Sequence, residues 1–376
     1  MSTTGFSTFY RRELDVQQLI TLLRQGQHFV QDWDVVTHYA EFLKNDVVCP
    51  SCGRGGANPV RPALSSKGDR IVRQGHFRFL STTGDDAHHP FCEFYSGGDT
   101  IAPTGETVPL GSDNSSDTAM VRRLVCRGIA THVFDQSNIR HMRQWFFDLK
   151  GQSSFRIDVS ENDIEWARCL RRHQNYIRQQ FDPRHADMPG FDWRQATHHE
   201  FTEQYLHLFD LVRDSSHEQS HWKRAAQFAS KRQGQITFDR GTLRPFYEAT
   251  IAVAKFVAKN SGIQWRKGKP DTYRYDNAPP ALLALCALCL FIKDWSTNEA
   301  IATFARLLNI PDPADQTLGN VLGLNPFHDF DAWRIVRVAK DVSSASGGAK
   351  SYAHLLADIE KGLRERYRVW KQQAQI

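Results

Sequence analysis

"VVCPSCGRGGANPVRP" (residues 47–62) and "DDAHHPFCEFYSGGD" (residues 85–99) are the stretches on which the reading of this chain turns. The first carries Cys49 and Cys52 in a Cys-Pro-x-Cys-Gly turn, whose proline and glycine help the backbone bend so that both sulfurs face one point. A structural metal ion bound tetrahedrally needs two donors more. The second stretch offers them: Cys92 as a third thiolate and His89, in preference to its neighbour His88, as the nitrogen. His76 is a further candidate. An unliganded pair and a redox pair are the competing readings, and the chain holds an example of the former. Cys286 and Cys289 repeat the spacing among Leu and Ala, where they read as apolar core filler.

Between about 46 and 109, Gly, Pro, Ser and Asp crowd together. The regular pattern there is "DRIVRQGHFRFLS" (69–81), where the alternation of Ile71, Arg73, His76, Phe77 and Phe79 predicts strands or a hairpin. A segment so poor in continuous apolar faces needs a staple to fold. The expectation for 46–112 is therefore a small β-containing, zinc-ribbon-like module, closed by structural zinc at Cys49, Cys52, His89 and Cys92, with "TIAPTGETVPLGSDNSSDT" (100–118) as an exposed linker.

Helical spacing dominates on either side. In residues 1–45, Asp15 reads as the N-cap of a helix bearing Leu19, Leu22 and Leu23 and ending at Gly26, and "WDVVTHYAEFLKN" (33–45) as a second helix. Residues 113–376 read as a mostly helical domain, with helices within 160–181, 199–214, 243–262, 281–292, 297–309 and 352–373. The fold class expected is mainly α: a two-helix entry, the small module and a larger helical domain. "MSTTGFST" (1–8) and "VSSASGGAKS" (342–351) read as disordered.

At 376 residues, 40% hydrophobic and 24% charged, the composition is that of a globular chain with more than one core. A net charge of +5 permits an anionic partner. The longest apolar run, 281–292, falls short of the roughly 18 residues that cross a bilayer. Seven cysteines without a secretory leader predict reduced thiols and a cytoplasmic protein. Nothing implies a membrane or an organic cofactor.

The run "CPSCGRGGANPVRP", "RIVRQGHFRF" and "HHPFC" resembles the zinc-binding N-terminal part of CoiA-like competence proteins over about residues 49–95. That resemblance implies DNA handling, with a nuclease domain in many relatives. Phe79 stands where those relatives carry a second histidine.

Other residues suggest chemistry. Asp135, Asp148 and Lys150 follow the residue order of PD-(D/E)xK nucleases, in which two acids hold Mg²⁺ and the lysine activates water. The competing reading is a helix capped by Ser137 and ended by Gly151, with Ile139, Met142, Phe146 and Leu149 on one stripe. His199, Glu203 and His207 would line one helix face, and Arg194 to His199 matches the spacing of HEPN ribonucleases. "HHPFC" with Asn114 and His132 faintly follows an HNH pattern. For nucleic acid, Arg70, Arg73, His76 and Arg78 of the module would meet phosphate, as would Lys223, Arg224, Arg266 and Lys267, with Trp222, Trp265, Tyr367 and Trp370 stacking on bases.

The leading expectation is a nucleic-acid-binding or processing protein with a structural zinc module, in a bacterial antiviral defence or DNA-handling assembly. The alternatives are a scaffold that docks a partner protein and a Mg²⁺-dependent nuclease.

Overall fold

The structure is a computed structural model that describes residues 2–24, 28–64, 71–73, 75–92, 94–95, 107–109, 116–173, 180–263, 278–315, 318, 322–346 and 351–374. The chain opens with β1 (Thr4–Ser7), β2 (Arg12–Asp15), α1 (Val16–Leu23), α2 (Asp32–His38), α3 (Ala40–Asp46) and β3 (Val47–Val48). Then come β4 (Ala57–Val60), β5 (Ala63–Leu64), β6 (Ile71–Arg73), β7 (His76–Phe79), β8 (Thr107–Pro109), α4 (Ser116–Ala130) and α5 (Gln136–Gln152). Next are β9 (Ser154–Arg156), α6 (Glu161–His173), α7 (Trp193–Gln204), α8 (Phe209–Val212), α9 (Gln219–Lys231) and β10 (Ile236–Phe238). The chain closes with α10 (Arg244–Asn260), α11 (Pro280–Phe291), α12 (Thr297–Asn309), β11 (Leu322–Leu324), α13 (Phe330–Ala345) and α14 (Tyr352–Ala374). It is mainly α with small antiparallel sheets, as expected. Among the described residues no helix is long and apolar enough to cross a membrane.

Contacts divide the chain into two compact units, Met1–Ser154 with Gly241–His328, and Phe155–Arg240 with Asp329–Ile376. The boundaries expected near 45 and 112 do not mark compact units, because the first two expected pieces share one core. Leu14, Leu19, Leu23, Val35, Leu43 and Val47 pack in the same cluster as Cys49, Phe77, Phe79, Cys92 and Phe94. The opening expected to be disordered is its first strand: β1 pairs antiparallel with β2 and β3, and Ser2 bridges to Phe77. Ser2, Thr4 and Ser7 escape the composition argument because they are buried and bonded; Ser2 Oγ, for example, donates to Thr4 O at 2.6 Å.

Three other local expectations shift. The stretch 69–81 forms the expected strands but not a hairpin between them, since β6 pairs with β5 and β7 with β4. The helix expected over 33–45 breaks at Tyr39, which leaves the α region at φ −99° and ψ 17°. The helix expected over 199–214 ends at Gln204 and resumes through a 3₁₀ turn at Leu206–Leu208. At the other disordered expectation, α13 runs on to Ala345, and 347–350 lie outside the described residues.

In the first unit α11 is buried from Ala281 to Leu290, Cys286 and Cys289 included, and it packs with α4, α5, α10 and α12. Gly128 of α4 lies against the Phe134 ring, where a Cβ would clash. Arg127 donates to Leu307 O and Leu308 O, both at 3.2 Å, capping carbonyls near the end of α12. In the second unit α6, α9 and α13 pack together, with Phe228 and Trp333 stacked at 4.1 Å, and α14 lies along α7.

Candidate metal centre

β3 delivers the chain to Cys49. The turn that follows is closed by Cys49 N–H donating to Arg54 O at 2.8 Å and by Gly53 N–H donating to Cys49 O at 3.0 Å. Gly53 sits at φ +70°, a conformation glycine adopts without a steric cost. At Gly56, φ +85°, a Cβ would run into Leu80 O, so the start of β4 can lie against the end of β7. From β7 the chain returns through the Leu80–Asp86 bridge, and Ala87 N–H donates to Phe79 O at 2.9 Å. The Asp86 carboxylate accepts from His88 N–H at 2.9 Å, and Cys92 N–H donates to His89 O at 2.8 Å.

These turns gather Cys49, Cys52, His88 and Cys92 so that their donor atoms all lie within 4.8 Å of one another. Cys49 Sγ is 3.8 Å from Cys92 Sγ, and His88 Nδ1 is 3.6 Å from both Cys52 Sγ and Cys92 Sγ. Three of the four are buried and Cys52 is half-buried. Hydrogen bonds from Cys49, then from Cys92, hold the Cys52 thiol far below its usual range, which favours the thiolate. The group could hold a metal ion.

Of the expected donors, the histidine is corrected: His88 belongs to the group and His89 does not. His88 is held by Asp86 and by the rings of Phe79 at 5.0 Å and Phe94 at 5.8 Å. His89 Nδ1 accepts instead from Phe91 N–H at 3.1 Å, and its ring meets Phe147 edge-on at 5.0 Å. His76, buried opposite Val60 in the β4–β7 pair, is outside the donor group.

The nuclease residues are not brought together. Asp135 is the N-cap of α5, accepting from Asn138 N–H at 3.0 Å and from Ser137 Oγ at 2.6 Å, and the Ser137 bond holds its carboxyl below the usual range. Asp148 lies exposed near the other end of that helix, about 20 Å along the axis. Lys150 is buried, its Nζ donating to Phe91 O at 3.2 Å and lying 4.5 Å over the Phe146 ring. The capping box and the stripe of Ile139, Met142 and Phe146 make this segment a helix, which two metal-holding strands cannot be.

α5 braces the donor group instead. Lys150 holds the residue before Cys92, Phe147 packs on His89, and Arg143 makes a buried ion pair with Glu13 of β2. Glu13 also accepts from Thr4 Oγ1. Glu13, Arg143 and the buried Asp46 escape a sequence reading because their partners lie 130 and about 40 positions away, beyond any local pattern.

The histidine face dissolves as well: His199 is buried, whereas Glu203 is exposed and His207 lies exposed beyond the end of α7. Burial, then the charge of Arg194, lowers the affinity of His198 for a proton. Of the HNH residues, His132 sits exposed in a left-handed turn at φ +54°, and Asn114 lies outside the described residues.

Arg70, Trp265, Arg266, Lys267 and the side chain of Arg73 lie outside the described residues. Arg78 and Lys223 are exposed. His76 is buried and cannot meet phosphate, and Trp222 is buried with Nε1 donating to Ser216 O at 2.9 Å, so it offers no stacking face. Arg224 pairs with Asp329 at 3.1 Å. On α14, Arg364, Arg366, Arg368 and Lys371 pair with Glu360, Glu200, Glu365 and Asp187, and Tyr367 OH donates to Asp187 at 2.7 Å. Trp370 stacks on Tyr367 at 5.9 Å.

No family model, curated protein or solved structure matches the chain.

Proposed function

We propose that Cys49, Cys52, His88 and Cys92 hold a structural zinc ion, and that the module it closes binds nucleic acid. The donor geometry carries the first half. With Zn–S of about 2.3 Å and Zn–N of about 2.0–2.1 Å, a regular tetrahedron has S–S edges of about 3.8 Å and S–N edges of about 3.6 Å. The separations are 3.8, 3.6 and 3.6 Å. Three soft thiolates favour zinc over magnesium or calcium. Four protein donors leave no open coordination position of the kind a catalytic zinc keeps. Bound there, zinc would crosslink three turns of a loop-rich segment.

The second half is supported by a contrast between charged groups. Arg364, Arg366, Arg368 and Lys371 of α14 and Arg224 of α9 face carboxylates of this chain. Arg54 and Arg61, flanking β4, and Arg78 of β7, opposite Asn58, are exposed and have no carboxylate partner among the described residues. Asp85, the exposed acid nearby, is engaged by Thr83 Oγ1 at 2.7 Å. The resemblance of residues 49–95 to CoiA-like modules points the same way, toward a part in a DNA-handling or defence assembly.

Metal analysis of the purified protein should return about one zinc per chain. His88→Ala and Cys49→Ser should lose most of it, and His89→Ala should keep it. Binding of a labelled oligonucleotide should weaken steeply with salt, with a slope that Arg54→Ala, Arg61→Ala and Arg78→Ala reduce. Binding that is absent or insensitive to salt would leave the scaffold reading in its place.

A further inference from the structure

The turn between β1 and β2 is fixed by a buried carboxylate. Asp46, at the end of α3 and 5% exposed, accepts from Ser7 Oγ, from Thr8 Oγ1 at 2.6 Å and from Phe9 N–H at 2.6 Å. Its backbone carbonyl accepts from Thr8 N–H at 3.2 Å, and Tyr10 N–H donates to Ser7 Oγ at 3.1 Å. Burying a carboxylate is costly unless its lone pairs are occupied, and here the donors that occupy them come from the last residue of β1 and the turn that follows it. What that turn displays is Phe9, 70% exposed to solvent. Folding alone does not require an apolar ring to be held rigidly in water.

Phe9 is the outer member of an aromatic ridge. Its ring meets Tyr10 edge-on at 5.0 Å and Phe42 at 5.8 Å, and Phe42 continues to Tyr39 at 6.4 Å. Tyr39 in turn touches His38 at 4.8 Å and Phe29 at 6.3 Å. Cations border the ridge along the chain: Arg11 follows Tyr10 in the turn, Arg12 opens β2, and Lys44 lies two residues beyond Phe42. All three are exposed without a carboxylate partner among the described residues, beside the one exposed carboxylate of α3, Glu41. The exposed Arg61 lies 5.1 Å over the ring of Trp33, which packs on the same core.

We infer that this ridge is a stacking platform for single-stranded nucleic acid, with Phe9 taking a base and Arg11, Arg12 and Lys44 taking phosphates. The inference rests on the nucleic-acid reading above and sharpens it. A preorganised exposed ring beside exposed cations suits unpaired bases, whose faces are open, and not a duplex, whose faces are already stacked. A protein partner would use the apolar ridge but has no general need of the cations around it.

The test uses the full-length, zinc-loaded chain and fluorescence anisotropy with one labelled sequence, presented as a single strand and as a duplex at the same salt. The single strand should bind more tightly. Phe9→Ala should weaken single-strand binding by about 5- to 150-fold, the range expected for losing one stacked base, while zinc content, melting temperature and duplex binding stay unchanged. Equal affinity for both forms, with Phe9→Ala silent, would overturn the platform and leave phosphate binding by the module standing. Absence of salt-dependent binding to either form would overturn both and assign the ridge to a protein partner.

Discussion

His88 and His89 are neighbours with opposite fates, and the difference lies in what each ring is packed against. Asp86, Phe79 and Phe94 hold His88 toward the three sulfurs, whereas Phe91 N–H and Phe147 hold His89 away from them. The cysteines divide in the same manner. Burial pushes the thiols of Cys169 and Cys289 up to about 12, and Cys286 well above its usual value, while the ligand-group thiol Cys52 is shifted down. A chromogenic disulfide reagent at pH 8 should therefore leave Cys169, Cys286 and Cys289 unreacted in the folded protein, and addition of a strong chelator should release the thiols of Cys49, Cys52 and Cys92 to it. The Glu13–Arg143 pair makes a second residue-scale case. Both side chains are fully buried, so Glu13→Ala removes the carboxylate from a buried guanidinium and should cost about 3–5 kcal/mol in denaturant unfolding. Asp148→Ala, at an exposed helix position, should change stability by less than about 0.5 kcal/mol.

At the scale of the element, α5 shows what a local pattern can and cannot reveal. The apolar stripe was legible, because a helix is written in residues three and four apart, whereas the cap expected at Ser137 is made two residues earlier by Asp135. The competing metal-holding reading of Asp135, Asp148 and Lys150 came from residue order alone, which is blind to the helix axis between them. Asp135→Ala should cost about 0.5–2 kcal/mol as a lost cap. The role of the rest of α5 is tertiary: Arg140 lies 3.7 Å over Phe6, Arg143 grips Glu13 and Lys150 grips Phe91. Lys150→Ala should lower zinc affinity about tenfold in chelator competition, since groups that orient metal ligands from outside carry effects of that size. Strand identity was half legible in the same sense. The alternation at Phe77 and Phe79 marked β7, but its partner β4 is selected by the Cys49–Gly53 turn and by the close approach at Gly56.

At the scale of the whole molecule, the donor residues all lie before α4, and the later helices hold none of them. Chelation should therefore change the emission of Trp33, which packs on the shared N-terminal core, and leave most of the helical circular dichroism in place. By itself, the sequence determined the mainly helical class, the Asp15 cap, the apolar stripe of α5, the bent Cys-Pro-x-Cys-Gly turn and the buried run of α11. Each of these depends on residues within about one or two turns of one another. Only the tertiary structure decided that His88 is the fourth donor, that Asp46 pins the Phe9 turn, that Glu13 meets Arg143, and that the opening strand joins the metal module in one core. Those outcomes depend on pairs 36 to 130 positions apart. Such pairs gain energy only after the chain has closed the loop between them, so no local spacing records them.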